Sequence, residues 1–581
     1  MDSQSSEMRN LTEIFHLLAP IVSEISTLAG VPGVSVGILH HNEVVFQHNY
    51  GFLDLEAKIP VTNDTIYPIG SLTKGFTAAT IASLVEDGVF EWDTPIKQIL
   101  PDFSNQRSEV NDLTTILDLL SMQTGLSGAD SIWFHAPPVI ENSQVMEVFN
   151  SLPQVKPFRT TMQYNNLGYA LASSAVESRT GESLMDNMKQ RIFEPLGMYH
   201  TGFDTTGLAP DKLSKTYVVM EDGTPQHFTR SLVDKSSWIA ACGGLWSSTN
   251  NLLVYYKALL QAAHSQFEDG TLLTPQSPLK QVTTLLTGHT FLGSQQKSLR
   301  ERSYGLGWVR TQLPGVLGAV GYNEYFVSKM PIAGTGSAPR LAIYHQGNLP
   351  SASAAVYMFP ETGSAVIVLC NAFGLTDAPD WIAQLFVERL FDDSTNADYA
   401  MLAREAVKST LERSRALKQE LTSLQDASTR PKDLELFVGR YYNSFGTFFL
   451  DIRMIEGQLS VSFQGLELET YLLKHSHENV FSWYTSADDL TRRGRHPAWM
   501  TSSYFLLRFD PRNSSLVWEN DSNFQAGNLF ARAWEESESR LGYASLLLAL
   551  LPITVGLKYY GSSLLIVVFV AVIGILLYGA Y

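Results

Sequence analysis

Cysteine is nearly absent from this chain. Of 581 residues only Cys242 and Cys370 carry a thiol. At most one disulfide is available, which suits a reducing compartment or a fold large enough to stand without covalent staples. Charge is sparse as well, at 17% of residues, with a net of −17 and no long basic run. That balance argues against nucleic acid as a partner. The opening stretch, Met1 to Asn10, is polar and lacks the charged-then-apolar pattern of a secretory leader. Disorder is excluded in turn by 45% hydrophobic residues and ten Trp.

What is present is length and pattern. The chain suits two or three domains. Residues 8–29 read as an amphipathic helix, with Leu11, Ile14, Phe15, Leu18, Ile21, Ile25 and Leu28 on one side. Gly33 to Leu39 and Val44 to Asn49 read as a hairpin turning at His40-His41-Asn42. A long helical middle follows, then strands at Leu341, Ala354 and Ser364. Strands and helices in separate runs predict an α+β fold.

The chemistry concentrates at Ser71-Leu72-Thr73-Lys74. Pro68 and Gly70 precede a mostly apolar run of helical length that closes at Glu86-Asp87-Gly88. Lys74 then lies one turn after Ser71 on the same face. A serine hydroxyl is a poor nucleophile until a base takes its proton. A lysine can do so only in its neutral form, which burial and the positive end of a helix both favour. The positions three and four away from Lys74 hold no carboxylate. Such a lysine in an apolar helix is costly without a task. Two other Ser-x-x-Lys matches, Ser277 to Lys280 and Ser294 to Lys297, sit beside Pro278 or in a polar stretch and open no buried helix.

Two further patterns follow in order. Tyr164-Asn165-Asn166 precedes a helix from Tyr169 to Arg179. Tyr164 and Asn166, two apart on an extended turn, face one side; a Tyr can pass a proton and an Asn amide can hold a carbonyl. His345-Gln346-Gly347-Asn348 ends a strand, with His345 and Gly347 on one face and Gly347 leaving room for a substrate backbone.

Together these motifs resemble the serine β-lactamase and penicillin-binding-protein superfamily, in the branch of class C β-lactamases, DD-peptidases and related esterases. That family carries Ser-x-x-Lys at a helix start, then Tyr-x-Asn, then Lys/His-x-Gly on a strand. Leu119 to Leu126, Glu194-Pro195-Leu196-Gly197-Met198, Ala241 to Leu245 and Tyr304 to Trp308 also look familial. Two departures stand out: Met122 replaces the usual His, and His345 the usual Lys. The resemblance covers residues 8–390 and implies an antiparallel sheet flanked by helices, with a helical subdomain. It implies a serine hydrolase working through a Ser71 acyl-enzyme, with Lys74 as base and Tyr164 as proton carrier. Asn166, His345, Gly347 and Asn348 would bind the substrate, and the backbone N–H groups of Ser71 and Asn348 would form the oxyanion hole. The substrate is a small-molecule or peptide-like ester or amide, and no metal or cofactor is implied. Histidine in place of lysine predicts poor β-lactam turnover. Acyl transfer to a small molecule, in secondary-metabolite biosynthesis, is the alternative outcome of the same acyl-enzyme, and a non-catalytic scaffold the minor one.

Residues 391–430 alternate charge with leucine and read as a helical linker. Residues 431–535 show short apolar segments between turns and resemble a lipocalin-like β-barrel, read as a packing module rather than a second active site. Residues 543–581 are hydrophobic, and Leu564 to Tyr581 are eighteen uncharged residues in a row. They are expected to span a membrane once as a C-terminal anchor, with the catalytic domain in the cytosol.

Overall fold

The computed structural model describes residues 11–533 apart from 129–139, 230–236, 294–299, 392–396, 445, 447 and 520–526. The N-terminal helical stretch is two pieces, Leu11–Leu17 and Ala19–Ala29 (α1), bent by 41°. Pro20 opens the second piece, where its missing N–H and fixed φ are tolerated. β1 (Gly33–His40) and β2 (Glu43–Asp54) form the hairpin, with His40 opposite Glu43. The two turn residues, His41 and Asn42, have φ of 52° and 61°. Positive φ at both positions matches the right-handed twist of the strands.

Four later strands complete the core of the sheet: β3 (Val309–Leu313), β4 (Arg340–Leu349), β5 (Ala352–Phe359) and β6 (Ser364–Cys370). Their order is β2-β1-β6-β5-β4-β3, extended by two-residue strands at both edges, and every pair is antiparallel. The hairpin is therefore closed onto the last strand, with Val34 opposite Cys370. The helical middle lies between them in sequence. It includes α2 (Thr73–Glu86), α3 (Asn166–Thr180) and α4 (Thr249–Asp269).

Helices cover both faces. α4 lies on one, where Leu253 sits against Gly37. α1 and α5 (Ala378–Phe391) lie on the other, where the rings of Phe15, Phe46 and Phe386 meet at 5.5–5.6 Å. α2 is buried along nearly its whole length, Thr73 to Leu84. Cys242 and Cys370 are buried and are not joined in a disulfide.

α6 (Tyr399–Ser423) occupies the stretch read as a linker and packs along α1. Beyond it a nine-stranded sheet curls into a nearly closed barrel. Its order runs Thr470–Leu472, Gln458–Phe463, Phe449–Ile455, Gly439–Tyr442, Asn528–Arg532, Ser515–Trp518, Leu506–Asp510, Val480–Ser482, Lys474–His477. Aromatic rings fill the interior: Phe463, Tyr471, Trp483 and Trp518 are all buried. The chain through Arg532 packs as one compact unit. The hydrophobic run from Tyr543 lies outside the described residues. Among those described, no single helix is long and apolar enough to cross a membrane.

Candidate active site

Ser71 sits in a turn of 3-10 helix, Gly70–Leu72, directly ahead of α2. Two glycines let this turn lie against β4. Gly70 has φ +53°, and a Cβ there would come within 3.0 Å of the Asn348 nitrogen. A Cβ on Gly347 would lie 2.1 Å from the Ile69 carbonyl oxygen. The close approach that Gly347 permits is thus to the chain's own backbone, not to substrate as the strand pattern suggested. It also brings the backbone nitrogens of both residues to this crossing: a Cβ on Gly347 would lie 3.2 Å from Ser71 N, and one on Gly70 3.0 Å from Asn348 N.

Lys74 is fully buried. Its Nζ donates to Ser71 Oγ at 2.9 Å and to the Cys242 carbonyl at 2.9 Å. It also lies over the rings of Tyr164 and Tyr169, 4.9 and 5.5 Å from their centroids. The Cys242 segment is tied to the turn: Leu245 N donates to Thr73 Oγ1 at 3.2 Å, Ile69 N to Leu245 O at 2.9 Å, and Thr77 Oγ1 to Ala241 O at 2.7 Å.

The Tyr164 hydroxyl donates to Ser71 Oγ at 2.9 Å. Ser71 Oγ therefore has an amine and a phenol at the same distance, 2.9 Å. The loop bearing Tyr164 is anchored by a buried carboxylate: Arg159 grips Asp118 with two hydrogen bonds of 2.7 and 2.6 Å. Asn165 caps α3 by accepting from Gly168 N at 3.1 Å, which sets Asn166 in the first helical turn. Tyr164 and Asn166 both line the cleft.

His345 is placed differently from its neighbours. It is 1% exposed and is not among the residues lining the cleft. Its Nδ1 lies 2.5 Å from the Gln346 carbonyl, so that nitrogen carries the proton; Nε2 accepts from the Tyr304 hydroxyl at 3.0 Å. Burial, then the charge of Lys74, drives its pKa down to about 3. Near pH 7 it is neutral, and it braces Tyr304 rather than presenting a charge to a ligand. Strand alternation gives His345 and Gly347 to the face against the Ser71 turn, and Gln346 and Asn348 to the face against α5.

The cleft above Ser71 has a volume of about 480 Å³. One part of its wall comes from Ala319 to Tyr322, and another from an excursion of the barrel between Ser482 and Leu506. From that excursion Trp499 stacks on Tyr322 with centroids 4.0 Å apart, and His496 Nε2 contacts the Pro350 carbonyl at 3.2 Å. Arg495 is buried, paired to Glu469 at 2.8 Å and donating to the Tyr471 and Tyr504 hydroxyls at 3.0 and 2.8 Å. The barrel is thus part of the site's wall, beyond the packing role read from sequence. Among the described residues no Asp or Glu lines the cleft. Sequence reasoning missed the Cys242 carbonyl, Tyr304, Trp499 and Arg495. The segments carrying the first two were visible as motifs; nothing local marked the last two.

Comparison with known proteins places this geometry. Residues 18–388 match the family model described as Beta-lactamase. The chain is 31% identical over 250 residues to an unguisins hydrolase of Aspergillus violaceofuscus, covering 41% of this chain and 44% of that protein. It is 31% identical over 172 residues to a D-aminopeptidase of Brucella anthropi, covering 29% of this chain and 32% of that protein. The chain thus spans less than half the length of these two relatives. The solved structure of the octameric penicillin-binding protein homologue from Pyrococcus abyssi shares the fold at 21% identity, with a TM-score of 0.52 over 89% of this chain and 100% of that one. With the family model covering well over half of its residues, the chain belongs to the β-lactamase family.

Proposed function

We propose that this chain is a serine hydrolase that cleaves an ester or amide through a Ser71 acyl-enzyme. The observation that carries this is the pair of 2.9 Å contacts from Lys74 Nζ and Tyr164 OH to Ser71 Oγ at the cleft floor. Lys74 in its neutral form takes the Ser71 proton as Oγ attacks the carbonyl. The N–H groups of Ser71 and Asn348 receive the developing oxyanion. Tyr164 passes a proton to the leaving group, and water then releases the acyl group, with Tyr164 taking its proton. Asn166 holds the substrate's carbonyl side chain or amide at the cleft.

The cleft wall supports a narrower substrate class. Tyr322, Phe373, Trp499 and Leu349 give it an aromatic and apolar side, and the absence of a described carboxylate leaves a substrate ammonium without a counter-charge. This disfavours removal of a free N-terminal residue, the reaction for which the D-aminopeptidase is named. Because His345 is buried and neutral, the cleft lacks the strand cation that would hold a β-lactam carboxylate. The barrel's filled interior makes its likeness to lipocalins one of sheet form, not of ligand cavity.

Labelling with a fluorophosphonate probe tests the nucleophile. Wild type labels, folded Ser71→Ala does not, and equal labelling of the two would sink the assignment. Nitrocefin turnover at rates typical of resistance enzymes would contradict the substrate class. The composition of Leu564–Tyr581 supports a further proposal, a single membrane-spanning anchor with the catalytic domain on the cytosolic side. A glycosylation acceptor added at the C-terminus is then modified in microsomes. Release of the protein by carbonate would refute insertion.

A further inference from the structure

Behind the strand that carries Asn348 lie two carboxyl groups with no part in the acyl-enzyme steps. Asp377 immediately precedes α5 and Asp380 lies in its first turn; both are fully buried. Asp380 accepts from Tyr357 OH at 2.5 Å, Gln346 Nε2 at 2.8 Å, Asn323 Nδ2 at 2.9 Å and Gln384 Nε2 at 3.0 Å. Four donors satisfy an ionised carboxylate.

Asp377 is not satisfied in that way. Its Oδ2 accepts from Asn348 Nδ2 and from Tyr322 N, each at 3.3 Å. Its Oδ1 is buried with no hydrogen-bond partner among the described residues, and so is Oδ1 of Asn348. Two buried acceptors without donors, on side chains already in contact, cost free energy that one proton between them would remove. A proton on Asp377 Oδ1 does this. The acid O–H would donate to Asn348 Oδ1 while Asn348 Nδ2 donates to Asp377 Oδ2, closing a two-bond acid–amide ring.

We propose that Asp377 works in its protonated form as a positioning residue, holding Asn348 through this ring so that the Asn348 N–H is aimed into the oxyanion hole. This rests on the Ser71 reading. The same carboxyl also receives the Tyr322 N–H, so it steadies the cleft wall on which Trp499 stacks. Gly321 is required there, since a Cβ would lie 2.9 Å from Asp377 Oδ2.

The surroundings keep the proton in place. Burial, then the charge of Asp380, pushes the Asp377 carboxyl up to about 8. The titratable groups facing it are Asp380 on α5, Tyr357 on β5 and Cys370 on β6. His496 and Glu221 line the small cavity beside it. Burial lowers His496 to about 4, so none of these is a cation near neutral pH. Above about 8 a second carboxylate would stand beside Asp380 and the ring would open.

The experiment measures the rate of fluorophosphonate labelling of the full chain between pH 6 and 10 for wild type, Asp377→Asn and Asp377→Ala, with thermal unfolding of each. Asparagine can close the same ring without a titratable proton. Asp377→Asn is therefore expected to label at close to the wild-type rate at pH 7 and to lose the alkaline fall that wild type shows near pH 8. Asp377→Ala is expected to label about tenfold slower or worse, as misplacing an oxyanion donor does. An Asn variant as slow as the Ala variant, an Asn variant that does not fold, an Ala variant at the wild-type rate, or an alkaline fall unchanged in the Asn variant would overturn the proposal. Failure of the Ser71 reading shows separately, as labelling of Ser71→Ala.

Discussion

Two buried basic side chains stand at the cleft, Lys74 from the helix behind Ser71 and Arg495 from the barrel excursion. Lys74 is held by a hydroxyl, a carbonyl and two ring faces. Arg495 is held by the carboxylate of Glu469, by two tyrosine hydroxyls and by the rings of Phe463 and Trp483. A lysine whose nearest partners are neutral gives up its proton at less cost than one facing a carboxylate, whereas a guanidinium stays charged in any setting. The pairing separates the two tasks. Lys74 is placed to move a proton, and Arg495 is placed to fasten the barrel's excursion where Trp499 and Met500 can wall the cleft.

The comparison breaks first at Lys74. Lys74→Ala is expected to slow fluorophosphonate labelling by about 10³-fold, within the usual span for loss of a general base, while the protein stays folded. Retention of the wild-type rate would remove Lys74 from proton transfer. Arg495→Ala should act on stability instead. It leaves Glu469 buried and uncompensated, a loss of about 3–5 kcal/mol in denaturant unfolding. Joint replacement with Glu469→Leu and Arg495→Met is expected to recover much of that. If Arg495→Ala left stability unchanged and abolished turnover, the division of tasks would be wrong.

Trp499→Ala sharpens the role of the excursion. Removing its stack on Tyr322 is expected to lower kcat/KM for a bulky aromatic ester by about tenfold, with little change for an acetyl ester, as loss of apolar contact in a pocket does. Equal effects on both esters would mean the excursion serves stability alone.

A further effect concerns pH. His345 and His496 are held down to about 3 and about 4 by burial. Both therefore bind a proton more readily once unfolded, where the ordinary value is 6.5. Their contribution is fully present above pH 6.5 and is lost as pH falls through the window toward 3–4. Unfolding free energy should drop across that window, and His345→Gln should flatten the slope. An unchanged slope in the variant would show that His345 is not buried as described.

Much of the catalytic floor was legible in the sequence because its chemistry is local. Ser71 and Lys74 share one helical turn, and Tyr164 and Asn166 are two residues apart, so spacing alone put each pair on one face. The strand carrying His345 was legible for the same reason, but the use of its glycine was not. Only the packing of β4 on the Ser71 turn shows that Gly347 makes room for the Ile69 carbonyl. His345 itself read as a ligand-facing residue, since alternation tells which residues share a face but not what that face meets. The α+β class, the N-terminal hairpin and the barrel's short strands all followed from period and turn chemistry. By itself, then, the sequence picked out Ser71, Lys74 and Tyr164, the residues proposed as nucleophile, base and proton carrier, and the kinds of element that hold them. The tertiary structure alone decided that β1 closes onto β6 across the helical middle, that the barrel turns Trp499 and Arg495 onto the cleft, and that Asp377 stands behind Asn348. These pairings join residues 29 to 336 positions apart. No local propensity encodes them, because their free energy exists only once distant apolar surfaces are buried together.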